Sequence, residues 1–322
     1  MRRSHLVVRA WPCEPRTMET NSMALLSGKV AIVTGAGRGL GREEALALGA
    51  EGARVIVNDI GTSVSGEGRD QSPAQQVVEE IKAAGGDAIA NYEDVASWVG
   101  ARRSVEQAYD TYGKLDILVN NAGVLRDRMN FNMSEDEFDL VLRVHCKGHF
   151  AMTHHACVRW RELAKRSGSV YGRVVNTSSE AGLMGSAGNS NYAMAKAAIA
   201  ALTISIAREM GKYGVTSNFI APRARTRMTD TMPNHDMFAQ PETGFDVFNP
   251  AWPAQLVVFL ASEAAGDLNG QGFIVWGGEV ALVKGWHQVN QISKPNAAFT
   301  AQDLIARKDE LFGTEPRQPT YM

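Results

Sequence analysis

Val30-Ala31-Ile32-Val33-Thr34-Gly35-Ala36-Gly37-Arg38-Gly39-Leu40-Gly41 sets a short apolar run directly before a glycine-rich turn. The run predicts a buried strand, and Arg42 to Glu51 predicts a helix after the turn. Gly35, Gly39 and Gly41 let the backbone turn tightly and approach a phosphate closely. The free N–H groups and dipole of the helix that follows attract that anion. Strand, glycine turn and helix in this order predict a dinucleotide site opened by Gly35, Arg38, Gly39, Leu40 and Gly41. The spacing is not Gly-x-Gly-x-x-Gly, so the signal comes from its context rather than from the pattern.

The chain continues in the same idiom. Apolar runs at 54–58, 88–90, 115–119, 172–176, 215–220 and 273–275 read as strands, with 273–275 the last. Helical stretches read at 77–84, 99–112, from 135 into the 150s, and 191–213. Short continuous apolar runs alternating with helices predict an α/β fold: a single doubly wound parallel sheet, Rossmann-like, with helices on both faces. Residues 61–73 read as a loop, and 228–253, rich in Pro, Asn, Asp and Thr, as a mobile substrate flap. The expected organisation is an N-terminal extension at 1–26, disordered or preceding the true start, a catalytic domain at 27–285 and a C-terminal extension at 286–322. Residues 297–312 read as a terminal helix opened by a capping box of Thr300 and Asp303.

Asp59 lies eighteen residues past Gly41, at the end of the second strand. A carboxylate there can hold the adenosine ribose hydroxyls. A 2′-phosphate would meet like charge, at a cost of about 4 kcal/mol per pair at roughly 4 Å and an effective dielectric of about 20. NAD is therefore expected rather than NADP. Arg38 opposes that reading, because its guanidinium could pair with a 2′-phosphate. The plainer alternative for Asp59 is a solvated turn residue.

Tyr192 and Lys196 are four residues apart and share one face of a predicted helix. Ser179 stands thirteen residues before Tyr192, after a strand. A phenol with a pKa of about 10 is a poor base at neutral pH. A neighbouring ammonium favours the phenolate, and a shift of about 3 units corresponds to roughly 4 kcal/mol. The Ser179 hydroxyl can hold a substrate oxygen and stabilise the charge developing on it. Tyr192 would then take an alcohol proton while hydride leaves for nicotinamide. Alone, Tyr192 is a packing aromatic and Lys196 a solvated helix residue. Beside the glycine turn and Ser179, they form an expected catalytic group.

Over residues 27–280 the chain resembles the short-chain dehydrogenase/reductase family. The likeness rests on Thr34 to Gly41, Asp94-Val95, Asn120-Asn121-Ala122-Gly123, Ser179, Tyr192 with Lys196, and Ala221-Pro222. It implies that Asp94 and Val95 flank the adenine, that Asn121, Ala122 and Gly123 line the cofactor, and that Lys196 bonds the nicotinamide ribose. There are two departures. His145 stands where the family has an asparagine that relays protons; imidazole can donate and accept, so His145 is either a substitute relay or a structural histidine. Pro222-Arg223 replaces a Pro-Gly turn, with Thr226 one residue early, so the carboxamide contact of Pro222 and Thr226 is expected to be altered.

A closer likeness is to the (3R)-hydroxyacyl-CoA dehydrogenase units of peroxisomal multifunctional enzymes, through Val57 to Gly61, Leu125 to Arg128, Arg143 to His145 and Ile220 to Pro222. The tail after Gly278 resembles actinobacterial relatives acting on acyl-CoA or steroid-derived hydroxyls. Arg126 and Arg128 could meet CoA phosphates or be plain surface arginines. The resemblance implies a homodimer or homotetramer, through helices at 135–165 and 192–212.

Composition bounds the alternatives. The 322 residues carry a net charge of −2, with 44% hydrophobic and 21% charged content. That is ordinary for a globular protein and argues against bulk attraction to nucleic acid. No apolar run reaches the roughly 18 residues of a membrane span. Cys13, Cys146 and Cys157 have no metal-ligand or disulfide spacing, which suits a reducing, cytoplasmic setting and no metal site. The expected function is NAD-dependent oxidation of a secondary hydroxyl on a 3-hydroxyacyl-CoA or steroid-like lipid. NADPH-dependent reduction of a 3-oxoacyl group in lipid synthesis is the alternative, and a non-catalytic cofactor-binding protein the remote one.

Overall fold

The structure, a computed structural model, describes residues 24–231, 235–285 and 287–315. The expected tail up to residue 23, Cys13 included, lies outside them. The first half of the fold runs β1 (Val30–Thr34), α1 (Gly39–Ala50), β2 (Arg54–Asn58), α2 (Ser72–Ala83), β3 (Asp87–Asn91), α3 (Trp98–Tyr112) and β4 (Ile117–Asn120). It continues with α4 (Glu135–Leu142), α5 (Gly148–Ser167), β5 (Gly172–Thr177), α6 (Glu180–Met184), α7 (Ser190–Met210) and β6 (Val215–Pro222). The chain closes with α8 (Ala251–Ala261), β7 (Gly272–Trp276), β8 (Glu279–Val283), α9 (Ala301–Ala306) and α10 (Lys308–Phe312).

The strands form one sheet in the order β3-β2-β1-β4-β5-β6-β7-β8. The first seven are parallel, as expected from their continuous apolar runs. Alternate strand residues supply two cores. Val33, Val57, Val119 and Val175 pack with α1, α2 and α8. Ile32, Ile56, Leu118 and Val174 pack with α3, α5 and α7 around the buried Trp160. The indole N–H of Trp160 donates to Leu115 O at 2.7 Å, which satisfies its one polar group. From β1 the chain order runs outward to β2 on one side and β4 on the other. A crevice therefore opens at the C-terminal strand ends, where such sheets bind ligands.

The structure differs from the sequence reading in four places. β8 extends the sheet beyond the expected last strand. It pairs antiparallel to β7 through a two-residue turn at Gly277-Gly278, with Gly277 at φ 45°. It was missed because Val280 and Leu282 are exposed and the flanking sequence is polar. The helix expected from 135 is interrupted by a π-helical turn, Arg143–Lys147, between α4 and α5. α8 begins inside the expected flap, and its apolar residues occur all round rather than in a stripe, so no amphipathic period betrayed it. The terminal helix splits into α9 and α10, with the Thr300–Asp303 capping box present. No helix among the described residues is long and apolar enough to cross a membrane.

Candidate active site

The crevice is a cleft of about 720 Å³ running across the ends of β1, β2, β4, β5 and β6. One end is built by the glycine turn. Gly35 and Gly39 adopt φ of 65° and 56°, a region that favours glycine. A Cβ on Gly35 would meet Ala122 Cα at 2.7 Å, and one on Gly41 would meet Asn121 Nδ2 and Gly35 O at 2.4 Å. Gly41 is therefore required for helix α1 to seat against the β4 end. It does not itself line the cleft, whereas Gly35, Arg38, Gly39 and Leu40 do.

This end is polar and fully bonded. The Thr34 hydroxyl oxygen accepts from the Asn121 and Ala122 N–H groups at 3.0 and 3.1 Å. Asn121 Nδ2 donates to the carbonyls of Thr34 and Gly35. Asp59 faces the cleft with Oδ2 accepting from Gly37 N at 2.8 Å and Oδ1 from Gly61 N at 2.6 Å. Arg38 lies 3.7 Å from Asp70, so its charge already has a counterion. Asp94 and Val95 line the cleft farther along, with Asp94 paired to Arg143 at 3.2 Å.

The other end gathers Ser179, Tyr192, Lys196 and His145. Ser179 caps α6: its Oγ accepts from Ala181 N at 3.2 Å. Ser179 also neighbours Tyr192, and its hydroxyl acts to favour the phenolate. Burial acts more strongly in the opposite sense and pushes the phenol up to about 12, with Asp127 adding to the rise. The acidification expected from Lys196 is not found: Lys196 is not among the groups acting on the phenol, and burial drives it up. Lys196 Nζ stands 5.4 Å from the centre of the Tyr192 ring and donates to Thr177 O at 2.6 Å. Burial draws that amine down to about 7.

His145 sits in the π turn, fully buried, its ring edge-on to Tyr192 with centroids 5.4 Å apart. Its Nε2 lies 2.9 Å from Val124 O and 3.2 Å from Val124 N, while Nδ1 has no partner. Burial, then the charge of Lys196, hold it well below the usual histidine range. A Cβ on Gly123 would lie 2.4 Å from the His145 ring, so Gly123 makes room for that imidazole as well as lining the cleft. Ala122, Asn121, Pro222 and Thr226 also line it. Thr226 faces Gly39 across the cleft mouth.

Sequence reasoning missed two groups. Glu180 and Arg223 line the cleft at its Ser179 end and bond each other through two contacts of 2.5 and 2.6 Å. Adjacent parallel strands brought them together, which no local spacing shows. Arg126 and Arg128 do not line the cleft; they pair with Glu67 and Glu137. Met228, Thr229 and Phe238 of the expected flap form part of the wall.

Residues 29–236 match the family model described as short chain dehydrogenase. The chain is 47% identical to the hydroxyacyl-CoA dehydrogenase ChsB1 of Mycobacterium tuberculosis over 314 residues, 94% of each chain. It is 40% identical over 257 residues to the peroxisomal multifunctional enzyme type 2 of Mus musculus, covering 80% of this chain and a third of that longer protein (33%). Among solved structures, a short chain dehydrogenase from Mycobacterium avium superposes with a TM-score of 0.81 at 46% identity, over 92% of this chain and 98% of that one.

Proposed function

This chain belongs to the short-chain dehydrogenase family, an oxidoreductase using a nicotinamide dinucleotide on CH–OH groups, and from that premise we propose that it oxidises the secondary hydroxyl of a 3-hydroxyacyl-CoA or steroid-like substrate with NAD. The observation that carries the reading is the two-ended cleft: a bonded carboxylate, Asp59, at one end, and Ser179, Tyr192 and Lys196 gathered at the other. The names of the mycobacterial and peroxisomal relatives support the substrate class.

The residues fit a dinucleotide. The Gly35–Gly39 cradle admits no Cβ at Gly35 or Gly41, and leaves the α1 N-terminus facing the cleft. Gly35, Arg38, Gly39 and Leu40 would hold the pyrophosphate. Asp59 would take the ribose hydroxyls, and Asp94 and Val95 would flank the adenine. Asn121, Ala122, Gly123, Pro222, Thr226 and Lys196 would border the nicotinamide half. Asp59 disfavours a 2′-phosphate, and the Asp70 contact of Arg38 lessens the cation that would welcome one. The bound dinucleotide supplies the hydride acceptor.

On that reading Ser179 donates to the substrate oxygen. Tyr192 takes the hydroxyl proton. Lys196 is held by Thr177 O and would bond the nicotinamide ribose. His145 is read as the next proton acceptor: neutral, buried and with Nδ1 unpartnered. Exposed Phe150 and Val158 on α5, with small Ala197 and Ala201 on α7, support a homo-oligomer built on those helices. The composition supports a cytoplasmic setting.

Following NAD reduction at 340 nm across 3-hydroxyacyl-CoA thioesters and hydroxysteroids tests the substrate class. Turnover with NAD on one of these is the expected result. Activity confined to NADPH and 3-oxoacyl substrates would overturn it in favour of a reductase.

A further inference from the structure

β5 and β6 pair as far as Thr177 and Ile220, after which the chain of β5 turns into α6 while β6 runs on to Pro222. The first residue of α6, Glu180, thereby meets Arg223, the residue after β6. On the other side Pro222 pairs with Val275, so the next step brings Arg223 opposite Trp276. Arg223 Nε and Nη2 donate to the two Glu180 oxygens at 2.6 and 2.5 Å, and the guanidinium lies 4.3 Å from the centre of a Trp276 ring. The Arg223 N–H also continues the ladder to Val275 O at 2.9 Å. Carboxylate, guanidinium and indole thus run in a row across the ends of three neighbouring strands, half-buried, at the Ser179 end of the cleft.

Glu180 is the first residue of α6 and directly follows Ser179, the α6 cap that acts on Tyr192. Arg223 directly follows Pro222 on the cleft's opposite lip. We propose that the Glu180–Arg223–Trp276 strap is a positioning device for the reaction: it fixes Ser179 relative to the opposite lip and keeps a neutral pair, not a lone charge, next to Ser179. A bidentate guanidinium–carboxylate pair sets both distance and plane, which a single ammonium contact does not. Stacking on the indole adds a second restraint on the guanidinium.

The inference rests on Tyr192 being the proton acceptor. The groups acting on Tyr192 are Ser179 from the α6 segment and Asp127 from the loop after β4. Lys196 lies one helical turn along α7, and the neutral His145 approaches from the π turn. Cys146 and Glu44 act on Lys196, and Glu279 of β8 acts on Arg223. The strap adds an opposed pair of charges whose carboxylate belongs to the residue next to Ser179.

Opposite substitutions should therefore move the reaction in opposite directions. Arg223→Met leaves the Glu180 anion unpaired and is expected to shift the acidic limb of the kcat profile to higher pH. Glu180→Gln leaves the cation and is expected to shift it to lower pH. Either single change should lower kcat about tenfold with KM within about threefold, a loss of about 1.4 kcal/mol at the chemical step. The double variant Glu180→Gln/Arg223→Met should bring the limb back toward its starting position. Melting temperatures of the four proteins give an activity-free readout, in which the two single losses should exceed the double loss. Limbs that stay put, or that move the same way in both singles, overturn the strap. Activity retained by Tyr192→Phe would instead overturn the reading on which it rests, so the two failures are separable.

Discussion

The two ends of the cleft are built on opposite principles. At the glycine turn each polar group that shapes the site is bonded: Asp59 by two backbone N–H groups, Thr34 by two more, Asn121 to two carbonyls. Around Lys196 several are not. Both oxygens of Glu44, Nδ1 of His145, Nε2 of His149 and Oγ1 of Thr177 are buried without a partner. The titrations follow. Burial raises Glu44 to about 8, lowers His149 to about 3 and draws Lys196 to about 7. The glycine-turn end is thus satisfied, while the Lys196 end holds buried titratable groups displaced from their ordinary ranges. The cost is stability, since a buried unpaired polar group disfavours the folded state by about 1–3 kcal/mol.

The contrast can be broken most severely at the phenol. Tyr192→Phe should lower turnover by about 10³-fold or more while NADH binding, followed by fluorescence, stays near that of the parent. A matching loss of binding would erase the division between the two ends.

Glu44 sharpens the stability side. Its folded pKa is about 8 against an ordinary 4.5, so the folded state holds a proton the unfolded chain releases. Its contribution is fully present below about pH 4.5 and lost as pH rises toward 8, by on the order of 5 kcal/mol. The difference between the unfolding curves of the parent and Glu44→Gln should therefore grow in favour of the variant across that window. A flat difference would show that Glu44 finds a partner.

At the binding end, Asp59→Ala should reduce the preference for NAD over NADP by about 10- to 100-fold, or roughly 1.4–2.7 kcal/mol. Ratios of kcat/KM with the two cofactors read this directly. The smallest effect is expected at His145→Asn, which restores a side-chain amide at a buried site. Turnover within about tenfold of the parent, with a changed solvent isotope effect, fits a replaceable relay. Unchanged isotope dependence would make His145 a packing residue.

Much of this was legible in the sequence, because the sheet strands are short, apolar and buried on both faces. Their runs from Val30–Val33 to Phe273–Val275 gave the parallel sheet, and each expected cofactor residue except Gly41 lines the cleft. Helix spacing put Tyr192 and Lys196 on one face. What failed did so for specific reasons. β8 presents exposed apolar residues in a polar tail, α8 has no polar face, and the π turn that carries His145 inward has the composition of an ordinary helix.

The sequence by itself determined the glycine turn, the acidic residue after the second strand and the Ser, Tyr and Lys trio, since each depends on spacing within one strand–turn–helix unit or along one helix. Only the tertiary structure decided that Glu180 meets Arg223, that Glu44 lies buried without a partner, and that the phenol is driven up rather than down. Those outcomes depend on strand register and on the exclusion of water by distant segments, and neither is written in any local stretch of chain.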